Sequence, residues 1–199
     1  MTNADSLGVP VAGLVLAAGA GRRMGGPKAL VRDPAGVPWV VRASRILAAS
    51  GCSPVVVVIG AAAAEVRAEL AAEPVQVVEA TNWPEGMSAS LRAGLESLQG
   101  AGDAVVVVPV DLPGLTSAAV RRVLKSDGAD ALVRATYDGA PGHPVLIGRT
   151  HWDGVIASAH GDAGARDYLR THPVELVACD DIGDGADADT PGDLPQGHR

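Results

Sequence analysis

Apolar residues along the chain fall into short continuous runs, separated by longer segments in which apolar and polar positions mix. Three runs, Val11–Ala17, Val55–Ile59 and residues 104–108, are continuous rather than alternating. Such runs are typical of strands that are covered on both faces of a parallel sheet. Residues 75–78 and 131–135 are two further candidates. The pattern therefore predicts five strands, three of them buried on both faces.

The segments between the runs carry the spacing of amphipathic helices, with apolar residues three or four positions apart. One such segment ends before Gly51, a residue type that commonly terminates helices, and a second spans residues 87–98. Thr116 and Asp162 precede two more segments of this kind, and both residue types are favoured N-caps. We therefore predict a third helix after Thr116 and a fourth that contains Leu169.

Strands and helices alternate in the order β-α-β-α-β-α-β-α-β, which favours right-handed crossovers and helices on both faces of the sheet. We predict an α/β fold, a three-layer α/β/α sandwich around a mostly parallel, Rossmann-like sheet. Residues 143–147 and 174–178 are candidates for late strands, one of them antiparallel. No repeat or long linker divides the chain. We expect one domain over residues 1–199, with an ordered core at about residues 10–194 and a frayed tail at residues 195–199.

Composition excludes several functional classes. The net charge of −7 disfavours binding to nucleic acid or anionic membranes, which would favour a basic face. No apolar run approaches the roughly 20 residues of a membrane span, and the N-terminus lacks the features of a signal peptide. We therefore expect a cytoplasmic protein. Cys52 and Cys179 lie far apart without metal-ligand spacing, so we expect two buried thiols.

Residues 16–28, LAAGAGRRMGGPK, place a glycine-rich loop with three cations directly after the first strand. Glycines let backbone N–H groups approach an anion closely, so the loop is a candidate phosphate site. A Walker A loop would require Lys directly after the second glycine and Ser or Thr after that Lys. Here Pro27 precedes Lys28 and Ala29 follows it, so the Walker A interpretation fails twice.

A dinucleotide fingerprint is the second interpretation of the same loop, and it also fails. Met24 stands where the third glycine belongs, and only Asp33 lies near the position expected for an acid that binds ribose. What remains is a phosphate loop in which Arg23 and Lys28 together neutralise a triphosphate, with Arg22 a bystander.

The loop resembles the signature LAAGxxxRMGxxK of MobA-like nucleotidyltransferases, through residues 16–19, 23–25 and Lys28. Further similar segments, in the family's order, are NWPEGMSASL at 82–91, PVDLP at 109–113, GHPV at 142–145, GDAGAR at 161–166 and DADTP at 187–191. The resemblance implies a fold of the nucleotide-diphospho-sugar transferase type. The LAAG and GMSASL segments are similar to the molybdenum cofactor cytidylyltransferases, whereas guanylyltransferase relatives typically carry LAGG. Ala18 thus points to CTP.

The resemblance implies transfer of CMP from CTP to a phosphorylated acceptor, molybdopterin or the molybdenum cofactor, with release of pyrophosphate. Arg23, Lys28 and Asp111 are the implied catalytic residues. The residues implied to bind the nucleotide or acceptor are Leu16, Ala17, Ala18, Gly19, Asn82, Gly86, Ser88, Ser90 and His143. Ser88 is also a candidate N-cap, and His143 a candidate structural residue. Arg166 is a candidate for acceptor phosphate or for a surface salt bridge.

Acidic residues are the candidates for binding Mg²⁺, which takes one or two carboxylates together with substrate phosphates and water. Asp111 follows a buried run, so it should lie at the carboxyl end of a strand, where open α/β sheets bind ligands. Asp187 and Asp189 are two residues apart and would share one face of an extended segment. The resemblance assigns magnesium to Asp111 and to this pair. The plainer alternatives are a turn before Pro113 and a solvated acidic run.

Three other functions remain open at the level of sequence. The first keeps the chemistry with another substrate, as a guanylyltransferase of the same cofactor pathway or a sugar-phosphate nucleotidyltransferase. The second is a module that senses NTP without turnover, which would not need both acidic sites. The third is a dinucleotide-dependent oxidoreductase. The oligomeric state is not encoded in any motif.

Overall fold

The computed structural model describes residues 11–126 and 128–199. Within them, seven strands form one sheet: β1 (Val11–Ala17), β2 (Val55–Ile59), β3 (Gln76–Glu79), β4 (Ala104–Pro109), β5 (Leu132–Tyr137), β6 (Ala140–Gly148) and β7 (Glu175–Ala178). Their spatial order is β3-β2-β1-β4-β6-β5-β7. Strand β6 is antiparallel to β4 and β5, and the other neighbouring strands are parallel. The mostly parallel sheet is confirmed, and β6 is the antiparallel late strand.

Helices cover both faces of this sheet. They are α1 (Trp39–Ala49), α2 (Ala63–Glu69), α3 (Met87–Ser97), α4 (Ser117–Val123), α5 (Trp152–Ser158) and α6 (Arg166–Arg170). Helices α1, α2 and α4 share one apolar core with the sheet, and α3, α5 and α6 share the other. The three-layer sandwich is therefore confirmed, although α5 was not predicted. Among the described helices, none is long and apolar enough to cross a membrane.

Strand β1 shows how a continuous apolar run supplies both cores. Val15 packs in the core on the α1 side, whereas Leu14 and Leu16 pack in the core on the α3 side. Complete burial of such a side chain contributes roughly 1.5–3 kcal/mol. Gly13 completes the fit, because a Cβ there would lie 3.0 Å from the side chain of Leu47 in α1. The strand is thus fixed from both sides just before the glycine-rich loop.

The two predicted N-caps differ in outcome. Thr116 is confirmed, because its hydroxyl accepts a hydrogen bond of 3.1 Å from the Ala119 N–H. The prediction for Asp162 is wrong, because α6 begins only at Arg166. Asp162 Oδ1 instead accepts a hydrogen bond of 3.2 Å from the N–H of Met87, at the start of α3. A helix N-terminus favours a carboxylate, and here a loop distant in sequence supplies it.

The C-terminal tail packs on the segment between β1 and α1. The indole Nε1 of Trp39 donates to Nδ1 of His198 at 2.9 Å. The backbones of Arg32 and Arg199 exchange two hydrogen bonds of 2.7 and 3.0 Å. The expected fraying of residues 195–199 therefore does not describe this structure, since the tail has partners that its own sequence does not reveal.

The topology brings two loops together at one edge of the sheet. Strands β1 and β4 are parallel neighbours with Leu16 opposite Pro109, and the Val110 N–H donates to the Leu16 carbonyl at 3.1 Å. The glycine-rich loop and the segment that carries Asp111 therefore begin side by side. This is the carboxyl edge at which open α/β sheets bind ligands.

Candidate active site

A cavity of about 520 Å³ opens at the carboxyl ends of β1 and β4. The loops after these two strands form one wall, and the start of α3 with the loop after α5 forms the other. The predicted site residues that line it are Leu16, Ala18, Gly19, Arg23, Lys28, Gly86, Ser90, Asp111 and Asp189. Together with Asp162 of the GDAGAR segment, the lining residues come from five of the six motifs, all except GHPV.

Five predicted residues do not line this cavity: Ala17, Asn82, Ser88, His143 and Asp187. Ala17 is buried in the core on the α1 side. Asn82 donates from its amide to Glu85 at 3.1 Å, beside a single turn of 3-10 helix. His143 lies in a second, smaller cavity. These contacts place Ala17, Asn82 and His143 away from the large cavity; Ser88 and Asp187 are described with their own segments below.

The glycine-rich loop closes on itself at Gly21. This residue has a φ of +59°, and a Cβ there would lie 1.9 Å from the carbonyl oxygen of Gly26. The Gly26 N–H donates back to the Gly21 carbonyl at 3.2 Å. Because no side chain fits at Gly21, the loop makes a tight turn that returns the chain to Lys28 at the cavity.

Lys28 is the central cation of the site. Its ammonium lies 2.7 Å from Asp111 Oδ2 and 2.6 Å from Asp189 Oδ1. Burial alone would lower the pKa of Lys28, but the two carboxylates outweigh burial and raise the pKa above its usual value. The hydrogen bond from Lys28 in turn lowers the pKa of Asp189. Lys28 thus holds together two acidic segments that lie far apart in sequence.

Two arginines extend the positive charge along the loop. Arg23 contacts Asp189 Oδ2 at 2.9 Å, although 72% of its side chain remains exposed. Arg22, to which the sequence assigned no role, also lines the cavity. An exposed guanidinium can reorient toward an anion at little cost. The loop therefore offers three cations to a phosphorylated ligand.

Asp111 has one carboxylate oxygen without a partner. Its Oδ1 is buried and accepts no hydrogen bond within the described residues, whereas Oδ2 accepts from Lys28. A buried oxygen without a donor is costly, and such groups commonly await a ligand or ion. A hard divalent cation bound by carboxylate oxygens would satisfy it, so the donor set fits magnesium.

The segment that carries Asp187 and Asp189 docks directly beside Asp111. The N–H of Ala188 donates to the Asp111 carbonyl at 3.0 Å. Burial of the Asp187 side chain, together with the charges of Asp111 and Asp189, raises the pKa of Asp187 to about 6. Two carboxylates thus contact Lys28 and a third, Asp187, lies near enough to be influenced by their charges. No cluster of three metal-ligating side chains is found in residues 11–126 and 128–199. Magnesium does not require one, since substrate phosphates and water complete its shell.

The opposite wall is built from the start of α3 and the loop after α5. Gly86 has a φ of +109°, and a Cβ there would lie 2.6 Å from Asp162 Oδ1 and from the Gly161 carbonyl. Ser88 was a candidate N-cap, but Gly86 holds that position. The Ser88 hydroxyl is buried and accepts a hydrogen bond of 3.1 Å from the Gly164 N–H. Ser88 therefore fixes this loop against α3.

Sequence reasoning missed several residues of the cavity wall, among them Trp83, Pro84 and Asp162. Trp83 and Pro84 lie inside a motif that was recognised, so their place in the NWPEGM segment was a usable signal. Asp162 likewise lies inside the recognised GDAGAR segment, but its contact with α3, 75 residues away in sequence, could not be predicted from that segment.

Comparisons with known proteins agree with this geometry. A family model for the MobA-like NTP transferase domain matches residues 13–176. A curated relative, nicotine blue oxidoreductase of Paenarthrobacter nicotinovorans, is 37% identical over 190 residues, which cover 90% of this chain and 92% of the relative.

Solved structures also match over most of the chain. Two structures of Rv0371c from Mycobacterium tuberculosis H37Rv are 28% identical and cover 92% of this chain and 95% of that protein, with TM-scores of 0.79 and 0.76. The second is a complex with manganese. A nucleotidyl transferase from Methanothermobacter thermautotroptrophicus, at 22% identity and a TM-score of 0.72 over 85% of this chain and 87% of that one, shares the fold. The sheet and its helices have the nucleotide-diphospho-sugar transferase fold, and the chain belongs to the MobA-like NTP transferase family.

Proposed function

We propose that this protein is a magnesium-dependent nucleotidyltransferase that moves an NMP from an NTP to a phosphorylated acceptor. The observation that carries the proposal is the meeting of Lys28 with Asp111 and Asp189, at 2.7 and 2.6 Å, beside a glycine-rich loop. A phosphate loop without acidic groups would be sufficient for a sensor of NTP. Carboxylates beside the loop add the means to hold a metal against the phosphates.

The proposed reaction requires alignment and charge neutralisation rather than a general base. An oxygen of the acceptor phosphate attacks the α-phosphorus and forms a new phosphoanhydride bond. The bond from the α-phosphorus to the bridging oxygen breaks, and its electron pair leaves with pyrophosphate. Because the attacking phosphate is already ionised, no proton needs to be removed.

The chain's own cations stabilise the charge that the leaving group gains. Residues 18–23 of the glycine-rich loop and Lys28 line the cavity where a triphosphate would lie. There, the three cations and the backbone N–H groups of the loop would stabilise negative charge. Lys28 would exchange a carboxylate for a phosphate oxygen, since both are anions within reach of the same ammonium. Arg23 is exposed enough to do the same.

Asp111 and the pair Asp187 and Asp189 would hold Mg²⁺. When bound, the ion neutralises charge on the α-phosphate and the acceptor phosphate. The unpartnered Oδ1 of Asp111 supports this assignment, as does the manganese complex of a relative that is 28% identical. Asp189 lines the cavity and Asp187 does not, so Asp189 is the stronger candidate of the pair.

For the substrates we propose CTP and molybdopterin. Support for CTP is the residue Ala18 in LAAG, which resembles the cytidylyltransferases and lines the cavity. Support for molybdopterin is the same resemblance, through the GMSASL segment at the opposite wall. GTP and sugar phosphates are the substrates of the closest alternatives.

Pyrophosphate release from purified protein tests the proposal. Each NTP is offered with Mg²⁺ and one acceptor at a time, from a panel of molybdopterin-type and sugar phosphates. We expect release with CTP and a molybdopterin-type acceptor, and loss of release in Asp111→Asn. Release with GTP or a sugar phosphate would correct the substrate alone. No release with any pair would reject nucleotidyl transfer.

A second candidate function is the reduction of an organic dye-like substrate by a nicotinamide cofactor. The observation that favours it is the 37% identity to a protein named nicotine blue oxidoreductase. The cations of the glycine-rich loop could equally hold the pyrophosphate of a dinucleotide. The same purified protein is therefore given NADH or NADPH, and cofactor oxidation is followed by absorbance. Oxidation in the presence of an acceptor dye, without pyrophosphate release from NTP, would favour this candidate.

A further inference from the structure

A second cavity of about 70 Å³ lies beside the proposed nucleotide cavity. Leu16 and Met87 line both, so the two cavities meet at these side chains. Met87 is 40% exposed and its side chain is unbranched and flexible, so the boundary between the two cavities can change shape. A water molecule needs about 10–15 Å³ by this measure, so the space admits a group of a few heavy atoms and excludes a nucleobase.

Arg134 is the charged group of this small cavity. It lies on β5, where its Nε donates to the Gly142 carbonyl at 3.0 Å and a terminal nitrogen donates to the Pro141 carbonyl at 3.3 Å. Burial lowers the pKa of its guanidinium, but it stays protonated, as Arg does in proteins. Within the described residues it has no carboxylate partner. A half-buried cation held only by carbonyl groups is incompletely compensated.

The other residues that line the cavity strengthen the electrostatic attraction between Arg134 and an anion. Apolar side chains, among them Val107, Val145 and Leu169, keep the local dielectric constant low. His143 also lines the space, and burial together with Arg134 lowers its pKa to about 4, so it is neutral at pH 7. A neutral imidazole can donate a hydrogen bond to an oxyanion without adding charge. The chemistry of the cavity is therefore that of a small oxyanion site.

We propose that this cavity binds an oxyanion of the acceptor, a carboxylate or a second phosphate, with Arg134 as its cation and His143 as a neutral donor. That the oxyanion belongs to the acceptor rests on the proposed function, because the acceptor must also reach the adjoining nucleotide cavity. Arg166, whose side chain is 68% exposed at the rim, would meet the same group from outside. The acceptor would then have one anionic end for attack and another for positioning.

The test observes Arg134 directly by NMR, in the full chain labelled with heavy nitrogen. The Nε–H signal of Arg134 is assigned from its disappearance in Arg134→Gln. Inorganic phosphate and acetate are titrated separately, at constant ionic strength set with chloride. We expect a saturable shift of this signal, and the tighter of the two anions identifies the class of oxyanion. A shift that grows linearly, without saturation, for both anions overturns the proposal.

Variants separate this site from the neighbouring phosphate loop. In Lys28→Met the Arg134 signal should still saturate with the same dissociation constant, whereas loss of saturation there would place the anion in the large cavity and overturn the proposal. In Arg134→Gln the dissociation constant, followed through the amides of residues 163–165, should rise about tenfold. Arg134→Lys should restore part of the lost affinity. Arg170→Gln, which removes an exposed arginine of α6, should leave the dissociation constant unchanged.

The outcomes also separate this inference from the proposed function. Saturable binding at Arg134 in a protein that transfers no nucleotide upholds the oxyanion site and rejects the transferase. Nucleotidyl transfer in a protein whose Arg134 signal does not saturate upholds the transferase and rejects the oxyanion site. An unchanged dissociation constant in Arg134→Gln, with an amide spectrum that remains native, rejects Arg134 as the cation.

Discussion

Lys28 and Asp111, 83 residues apart in sequence, form an ion pair of 2.7 Å in which both side chains are more than four-fifths buried. The ammonium also contacts Asp189, so it occupies the position between two carboxylates where a metal ion would otherwise be favoured. A divalent ion bound by Asp111 and Asp189 would therefore compete with Lys28 for the same oxygens. If Lys28 then moves to the phosphates of NTP, metal binding and NTP binding would be coupled.

Lys28→Met should strengthen metal binding in the absence of nucleotide. Without the competing ammonium, the affinity for Mn²⁺ should rise about tenfold, because the variant removes a positive charge within hydrogen-bonding distance of both carboxylates. The same change should weaken the binding of NTP. Calorimetric titration with Mn²⁺ and then with CTP measures both. Lys125→Met, at an exposed position after α4, is the matched control; weaker metal binding in Lys28→Met would contradict competition.

Asp111→Asn should leave the fold intact and lower turnover by about 10²–10³-fold, the range found when one group that stabilises transition-state charge is removed. The amide keeps the shape of the side chain but loses the charge that the metal requires. Pyrophosphate release at saturating Mg²⁺ measures turnover, and circular dichroism checks the fold. Asp153→Asn, on the exposed first turn of α5, should retain full activity. Wild-type turnover in Asp111→Asn would remove this residue from the site.

Asp187 should make the protein less stable as the pH rises. Its pKa is about 6 in the folded chain and near 3.8 as an isolated side chain, so the folded state binds the proton more tightly. Its contribution to stability is therefore full below pH 3.8 and is lost as the pH rises through 6. The free energy of unfolding of Asp187→Asn should equal that of the wild type near pH 3.8 and exceed it at neutral pH. Urea unfolding at both pH values measures the difference. Equal stability at neutral pH would show that Asp187 is not perturbed.

Gly86→Ala should destabilise the wall between α3 and the loop after α5. The added Cβ would lie 2.6 Å from Asp162 Oδ1 and from the Gly161 carbonyl, at a φ that side chains avoid. We expect a loss of about 1–3 kcal/mol in the free energy of unfolding. Gly36→Ala, with a similar φ of +81° but open space around its Cβ, isolates the backbone strain. Equal losses in both variants would show that the clash contributes nothing.

Much of the fold could be predicted from the sequence, because the elements that define it are locally encoded. Val55–Ile59 was predicted with the bounds that the structure gives, since five consecutive apolar residues can hardly avoid burial. Thr116 was predicted as an N-cap because its hydroxyl reaches an N–H three residues away. Such signals depend only on neighbours in sequence.

Features that depend on distant contacts could not be predicted in the same way. Asp162 occurs just before a helical pattern, but its carboxylate accepts a hydrogen bond from Met87 of α3, because the folded loop brings the two residues together. Arg134 lies in the middle of an ordinary strand, and its exposure to a cavity depends on carbonyls of β6 and on α6. Sequence spacing identified Lys28 and Asp111 separately, whereas the ion pair that joins them required the sheet.

Isotope transfer tests the central claim most directly. CTP that carries a radioactive α-phosphorus is incubated with Mg²⁺ and a molybdopterin-type acceptor, and the products are separated. We predict that the label moves to the acceptor in the wild type, that pyrophosphate forms in equal amount, and that Asp111→Asn slows both by about 10²–10³-fold. Label that remains entirely in the nucleotide with every acceptor, both for CTP and for each other NTP labelled in the same way, would contradict it.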